Sequence, residues 1–250
     1  MAANPLSTRA DRCSVRPSGP LSRKYVMETP AAPRGGEQAS AAPIRVFIVT
    51  DHELVRQGLR ELFEDEGFEI VGEGSSAAEA IRSAALLQPD IAVLDDRLPD
   101  GTGIEVCRAL RSRTDPVTCL LLSGYDEDRA ARATVLGGAS GYVLKQVGDN
   151  TELANAVRRA ARGTILIRPA LRERIAERLK AAAATSLGTM TTREREVLFF
   201  MATGMTNRQI EQKLILPGQV IAGCVSSVLE GLGFARSKPA YISSDDEGLF

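Results

Sequence analysis

The sequence predicts a doubly wound α/β domain built on a five-stranded parallel sheet, followed by a small all-helical module. From Ile44 onward, short apolar runs of strand length alternate with segments whose apolar residues recur at helical spacing, and five such β-α units follow one another. Parallel strands need crossover helices, which cover both faces of the sheet, here over residues 43–163. Beyond about residue 188 only helical periodicity continues, to about 240. A chain of 250 residues has room for two ordinary domains.

Ile44 to Val49 reads as a buried strand, and Leu54, Val55, Leu59, Leu62 and Phe63 then recur at helical spacing until Gly67 stops the helix. Phe68 to Val71 is the second strand; Ser76 and Glu79 form a capping box for the second helix, and Pro89 precedes the strand Ile91 to Leu94. The pattern continues with a helix over Ile104 to Arg111, a strand over Val117 to Leu122 and a helix over Asp126 to Leu136. A strand over Tyr142 to Leu144 and a helix over Glu152 to Arg162 complete it. Residues 164–188 form a charged, Ala-rich helical connector with Leu171, Ile175 and Leu179 on one face. Residues 1–42 are Ala, Pro, Ser, Gly and Arg with almost no large apolar side chain, a composition expected to stay disordered. Translation from Met27 rather than Met1 would account for its front half.

Composition excludes several chemistries. The chain holds one histidine, His52, so histidine-rich metal sites and two-histidine schemes are ruled out. Cys13, Cys107, Cys119 and Cys224 lie far apart with no CxxC pair, which argues against zinc ribbons and redox motifs and fits a reduced, cytoplasmic chain. No apolar stretch approaches the ~18 residues of a membrane span, and the first 26 residues lack a signal peptide's apolar region, so no membrane partner is expected. A formal net charge of -1 advertises no polyanionic or polycationic partner.

In doubly wound sheets chemistry sits at the carboxyl ends of the strands. The first strand ends in Thr50-Asp51-His52-Glu53, the third in Asp95-Asp96-Arg97, the fourth at Ser123, and Lys145 follows the fifth. Two carboxylates, a hydroxyl and an ammonium around one crevice suit phosphoryl chemistry. Each alone has a plainer reading, Asp51 as a helix N-cap among them, and it is the constellation that points to function.

The segments Val49-Thr-Asp-His-Glu, Val93-Leu-Asp-Asp-Arg-Leu-Pro-Asp-Gly-Thr-Gly, Leu121-Leu-Ser-Gly-Tyr and Gly138-Ala-Ser-Gly-Tyr-Val-Leu-Lys resemble the receiver domain of two-component response regulators. The likeness is to the NarL/FixJ group with its LuxR-type helix-turn-helix, DosR/DevR-like regulators in particular, and runs from about Ile44 to Ala240. It implies a flavodoxin-like (CheY-like) receiver that is a switch and not an enzyme. It makes Asp95 the phosphoacceptor, with Asp51, Asp95 and the Arg97 backbone carbonyl holding Mg²⁺, Lys145 pairing with the phosphoryl group, and Ser123 and Tyr142 as switch hydroxyl and aromatic. The implied donor is a sensor histidine kinase. Phosphorylation would add charge, draw in Ser123 and let Tyr142 turn inward. His52 reads as a surface structural residue in the group's usual Asp-His-Glu run.

The C-terminal segment Met190-Thr-Thr-Arg-Glu-Arg-Glu-Val-Leu resembles the start of the LuxR-type module, with capping boxes at Thr191 and Glu194 and at Thr206 and Gln209. The reading helix should follow Leu216, and the resemblance offers Thr206, Asn207, Arg208 and Gln219 as DNA-contacting residues. Yet Pro217 to Gly233 contains no Lys or Arg, and Gln219, Ala222 and Gly223 stand where relatives carry basic or amide side chains. Over Thr189 to Ala240 six basic residues face four acidic ones, a thin footprint for a DNA-binding module. Ile221, Cys224, Val225, Val228, Leu229 and Leu232 keep helical spacing, so the helix can still pack. Pro239 interrupts the family's last helix, often a dimer contact, and residues 241–250 form an acidic tail. Pairing as a homodimer, or as a heterodimer with a related regulator, would then use the receiver or connector.

The leading expectation is therefore an aspartate-phosphorylated transcription regulator. The alternative is a phosphorylation-dependent interaction protein whose helix-turn-helix no longer binds DNA specifically. An aspartate-nucleophile phosphatase on the same kind of sheet is disfavoured, because its Asp-x-Asp pair after the first strand is missing. One departure sits in the pocket itself: relatives carry two acids after the first strand, whereas here Thr50 precedes Asp51. Thr50→Asp should restore a cation-attracting charge and raise both Mg²⁺ affinity and phosphorylation rate; unchanged values in a Mg²⁺ titration of phosphorylation would refute this.

Overall fold

A computed structural model describes residues 42–145, 150–185 and 190–234. The expected N-terminal extension and acidic tail, and Cys13 and Pro239, lie outside the described residues. The order is β1 (Arg45–Val49), α1 (Glu53–Asp65), β2 (Glu69–Gly74), α2 (Ala77–Leu87), β3 (Ile91–Asp95), a two-residue ribbon β4 (Arg97–Leu98) and β5 (Gly101–Thr102), α3 (Gly103–Arg111), β6 (Thr118–Ser123), α4 (Glu127–Gly137), β7 (Gly141–Leu144) and α5 (Asn150–Ala161). Four further helices follow: α6 (Pro169–Ala184), α7 (Thr192–Ala202), α8 (Asn207–Leu214) and α9 (Gly218–Gly231).

The main sheet runs β2-β1-β3-β6-β7 with every pairing parallel. Strand order reverses between β1 and β3, which opens a crevice at their carboxyl ends. Alternate strand residues go to opposite faces. Val46, Ile48, Ile91, Val93, Leu120 and Leu122 meet Leu59 and Phe63 of α1 and Ala154, Val157 and Ala160 of α5. Phe47, Val49, Ala92, Leu94, Cys119 and Leu121 face the other way, into a core that continues through α6 to Val197, Ile210, Ile221 and Phe234 of the C-terminal helices. The strand runs are continuously apolar because both faces are covered.

Local signals explain most boundaries. Gly67 at φ 79° ends α1, and Gly138 at φ 70° ends α4 in the left-handed conformation that costs glycine nothing. Thr102 with Glu105, Thr191 with Glu194, and Thr206 with Gln209 form complete capping boxes. The Ser76 box is only half as expected: Ser76 Oγ accepts the Glu79 amide, but the Glu79 carboxylate turns to the Ser75 amide at 2.8 Å. Asp100 replaces it, accepting the Ala77 and Ala78 amides at 2.6 and 2.9 Å, a carboxylate on the positive end of α2. The second strand begins and ends later than periodicity implied, because Gly72 and Gly74 pair with β1 despite their low strand propensity. Among the described residues, no single helix is long and apolar enough to cross a membrane.

One buried cation ties the helical module to the α/β layer. Arg108 of α3 is 1 % exposed and donates Nη1 to the Leu136 carbonyl (2.7 Å), Nη2 to the Met205 carbonyl (2.9 Å) and Nε to Asn207 Oδ1 (2.8 Å). Burial pushes its pKa down to about 10. The Asn207 amide donates to Ser112 Oγ at 3.0 Å, and Ser226 of α9 donates to Glu105. At the end of the module, Phe234 packs edge-on against Tyr125 at 5.9 Å, with the Arg129 guanidinium over both rings. Arg108→Ala should strip two backbone carbonyls and an amide oxygen of their donor and cost about 3 kcal/mol, read as a lower urea midpoint.

Candidate functional site

The carboxyl ends of β1, β3, β6 and β7 bring Asp51, Asp95, Ser123 and Lys145 to one crevice, as the alternation of strands and helices required. Register fixes this: Val49 lies beside Leu94, Asp95 beside Leu122 and Ser123 beside Leu144. Asp95 is 1 % exposed, so its charge needs partners. Its Oδ2 accepts from Lys145 Nζ at 2.6 Å and from Thr50 Oγ1 at 2.8 Å, and the Arg97 amide donates to Oδ1 at 3.4 Å. Lys145 reaches in from a more open position, its side chain 28 % exposed.

Asp51, His52 and Asp95 each place a ligand atom within 4.8 Å of the others. Exposed His52 sets Nδ1 at 2.6 Å from Asp51 Oδ1. Two carboxylates beside the backbone of Arg97 are hard oxygen donors and fit a divalent cation such as Mg²⁺. Thr50 adds only a neutral hydroxyl, already committed to Asp95.

Asp96, the residue after Asp95, is 2 % exposed. Its Oδ2 accepts from Ser123 Oγ at 3.2 Å and from the Gly124 amide at 3.0 Å, while Oδ1 is buried without a donor. Burial, then the neighbouring Asp95 carboxylate, push its pKa up to about 6 against the pull of the Gly124 amide and Lys145. Ser123 Oγ in turn accepts the Tyr125 amide at 3.1 Å. Tyr142 is half-buried on β7, with its hydroxyl 3.4 Å from Glu127 Oε1 of α4; burial and then that carboxylate raise its pKa.

The four residues suggested for DNA contact separate. Arg208 and Gln219 are exposed on α8 and α9, whereas Thr206 is occupied as the α8 N-cap. Asn207 is turned into the contact with Arg108 and Ser112.

Asp96, Arg108 and Tyr125 escaped sequence reasoning. Signals for two of them stand in the chain. Asp96 directly follows the acceptor candidate at a buried strand end, and Arg108 lies on the same helical stripe as Ile104, Cys107 and Arg111. Tyr125 carried no such mark, since its partner Phe234 is 109 positions away in number but adjacent only after the module docks.

The chain is similar to several known proteins. Residues 46–158 match the family model of the response regulator receiver domain. The chain is 40 % identical over 202 residues to the DNA-binding transcriptional activator DevR/DosR of Mycobacterium tuberculosis, covering 80 % of this chain and 93 % of that one. It is 31 % identical over 193 residues to the transcriptional regulatory protein LiaR of Bacillus subtilis, covering 76 % and 90 %. A crystal structure of a LuxR-family two-component response regulator from an Aurantimonas species is 34 % identical with a TM-score of 0.48, covering 55 % of this chain and 98 % of that one.

Gly103 is where the pocket meets α3. A Cβ there would lie 2.1 Å from the Asp95 carbonyl oxygen, a backbone atom with no freedom to retreat. Gly103→Ala should therefore displace the end of β3, lowering stability by about 2 kcal/mol in denaturant titration and slowing any chemistry at Asp95.

Proposed function

Because this chain belongs to the response regulators of the NarL/FixJ type, we propose that it is a cytoplasmic, aspartate-phosphorylated switch that regulates transcription through its C-terminal helices. The proposed division is a receiver over 43–163, a helical connector over 164–188 and a helix-turn-helix module over 189–240. The observation that carries the reading is Asp95: a buried carboxylate at the end of β3, held by Lys145 and Thr50 at a crevice lined by a second acid.

In the proposed reaction an Asp95 oxygen attacks phosphorus of a phosphohistidine on a sensor kinase. A P–O bond forms as the P–N bond breaks, and the departing imidazole takes a proton. Lys145 stays beside the carboxylate and offsets charge on the incoming oxygens. Asp51, Asp95 and the Arg97 carbonyl would hold Mg²⁺, which when bound shields the negative charge of the phosphoryl group. Ser123 is the proposed switch hydroxyl and Tyr142 the proposed aromatic that answers it. On the DNA side, Arg208 and Gln219 are displayed, and Asn207 joins them once the module leaves α3, while Thr206 stays engaged as the α8 N-cap.

Labelling with acetyl phosphate and Mg²⁺ should place one acid-stable, base-labile acyl phosphate on the native chain and none on Asp95→Asn. Label on the variant would remove Asp95 from the role. In a titration of the phosphorylated chain against duplex promoter DNA, affinity should fall steeply between two salt concentrations, as expected of real phosphate contacts; no binding at low salt would remove DNA from the proposal.

A further inference from the structure

The proposed reaction leaves Asp96 without a task, although it is buried in the same pocket. Its Oδ2 takes hydrogen bonds from Ser123 Oγ and the Gly124 amide. A serine hydroxyl has one proton to give, and here that proton goes to Asp96. The switch role asks the same proton to serve an oxygen of the phosphoryl group on Asp95. It cannot do both at once. We propose that Asp96 is a positioning residue that competes with the phosphoryl group for Ser123, so that phosphorylation has to displace an internal carboxylate. The inference deepens the reading of Asp95 as phosphoacceptor and rests on it.

The surroundings set the direction of the competition. Asp96 Oδ1 has no donor, and the pocket's cation, Lys145, is committed to Asp95. A phosphoryl group would add roughly 1.5 to 2 negative charges beside that carboxylate, whose Oδ1 has no donor, so Asp96 opposes the product electrostatically as well as by holding Ser123. The Ser123–Asp96 bond at 3.2 Å is longer than the usual ~2.7–2.8 Å for a hydroxyl donor, hence displaceable. Displacement has somewhere to go. Ser123, Gly124 and Tyr125 are consecutive, and the Tyr125 ring and Arg129 hold Phe234 at the end of the helical module. The carboxylate that keeps Ser123 and Gly124 in place thereby also keeps the turn that grips Phe234.

A double-mutant cycle on the full chain tests the competition, with the initial rate of acyl phosphate formation from acetyl phosphate and Mg²⁺ read by intact mass. Asp96→Ala should raise the rate about tenfold. Ser123→Ala should change it by less than about twofold in the native chain, where the hydroxyl is already taken, but lower it about tenfold in the Asp96→Ala background. A purely structural Asp96 would not make the Ser123 effect depend on it; equal Ser123→Ala effects in both backgrounds overturn the proposal. Without any phosphodonor, hydrogen exchange at the Gly124 amide should speed about tenfold in Asp96→Ala, and unchanged exchange overturns it as well. Asp96→Asn, which keeps shape and one acceptor oxygen, should give intermediate values and stands in if the alanine variant does not fold. Asp95→Asn in each background separates the two readings. Label that survives it defeats Asp95 as acceptor, whereas Asp95-dependent label with no coupling defeats only the competition.

Discussion

Burial of the Asp95 carboxylate is the constraint around which the pocket is arranged. An ion taken almost wholly out of water costs several kcal/mol unless opposite charge and hydrogen bonds replace its hydration. Three different strands contribute the replacement: Lys145 follows β7, Thr50 follows β1, and the Arg97 amide lies just beyond β3 itself. Lys145 and Thr50 are not local to Asp95 in the way a helix cap is, so the charge is satisfied only when the strand order is correct. Gly103 belongs to the same requirement, because α3 must pass so close to the Asp95 carbonyl that no Cβ fits between them. The site is thus a consequence of topology, and the topology is checked by the site.

The same sheet has two unequal faces. The α1 and α5 side closes on itself with Phe63 and Phe68 in edge contact. The other side does not stop at α3 and α4 but runs on into α6, α7 and α9. A purely apolar joint there would permit sliding; Arg108 prevents it, since three acceptors from two parts of the chain must converge on one planar guanidinium. That buried cation has no carboxylate partner among the described residues, and its stability depends on carbonyl oxygens aimed correctly. Such a contact is either fully made or lost, which is the property a two-state joint needs.

Much of this was legible in the chain because it rests on short-range rules. Five apolar runs spaced by helical segments specify a parallel sheet, and strand ends then converge by topology, so Asp51, Asp95, Ser123 and Lys145 could be placed together without coordinates. Capping boxes at Thr191 and Thr206 are likewise local and stand as expected. What was not legible depends on distance. The β4 and β5 ribbon has only two residues per strand, too few for a period. Glu79 and Ser76 read as a reciprocal pair until Asp100, from another loop, takes the helix amides. Asp96 was visible as a letter, but its meaning lies in Ser123 and Gly124, which reach it from the neighbouring strand.

The C-terminal helices show how packing and contact can be specified separately. On α9, Ile221, Val225, Val228 and Leu229 are buried, so the helix folds and docks on residues that have nothing to do with reading a nucleic acid. The outward face holds Gln219, Val220, Ala222 and Gly223 and no cation at all. Phosphate attraction in this module must therefore come from elsewhere, from Arg193, Arg195, Arg208 and Lys213 on the preceding helices or from Arg236 and Lys238, which lie outside the described residues. Of these, Arg193 already pairs with Glu196. Asn207, the amide best placed beside them, is held by Arg108 in the docked arrangement. Whatever binds this surface gains little from α9 electrostatically, and under the proposed reading its affinity would depend on whether α8 is free of α3, which would make the Arg108 joint as consequential for recognition as the reading helix itself.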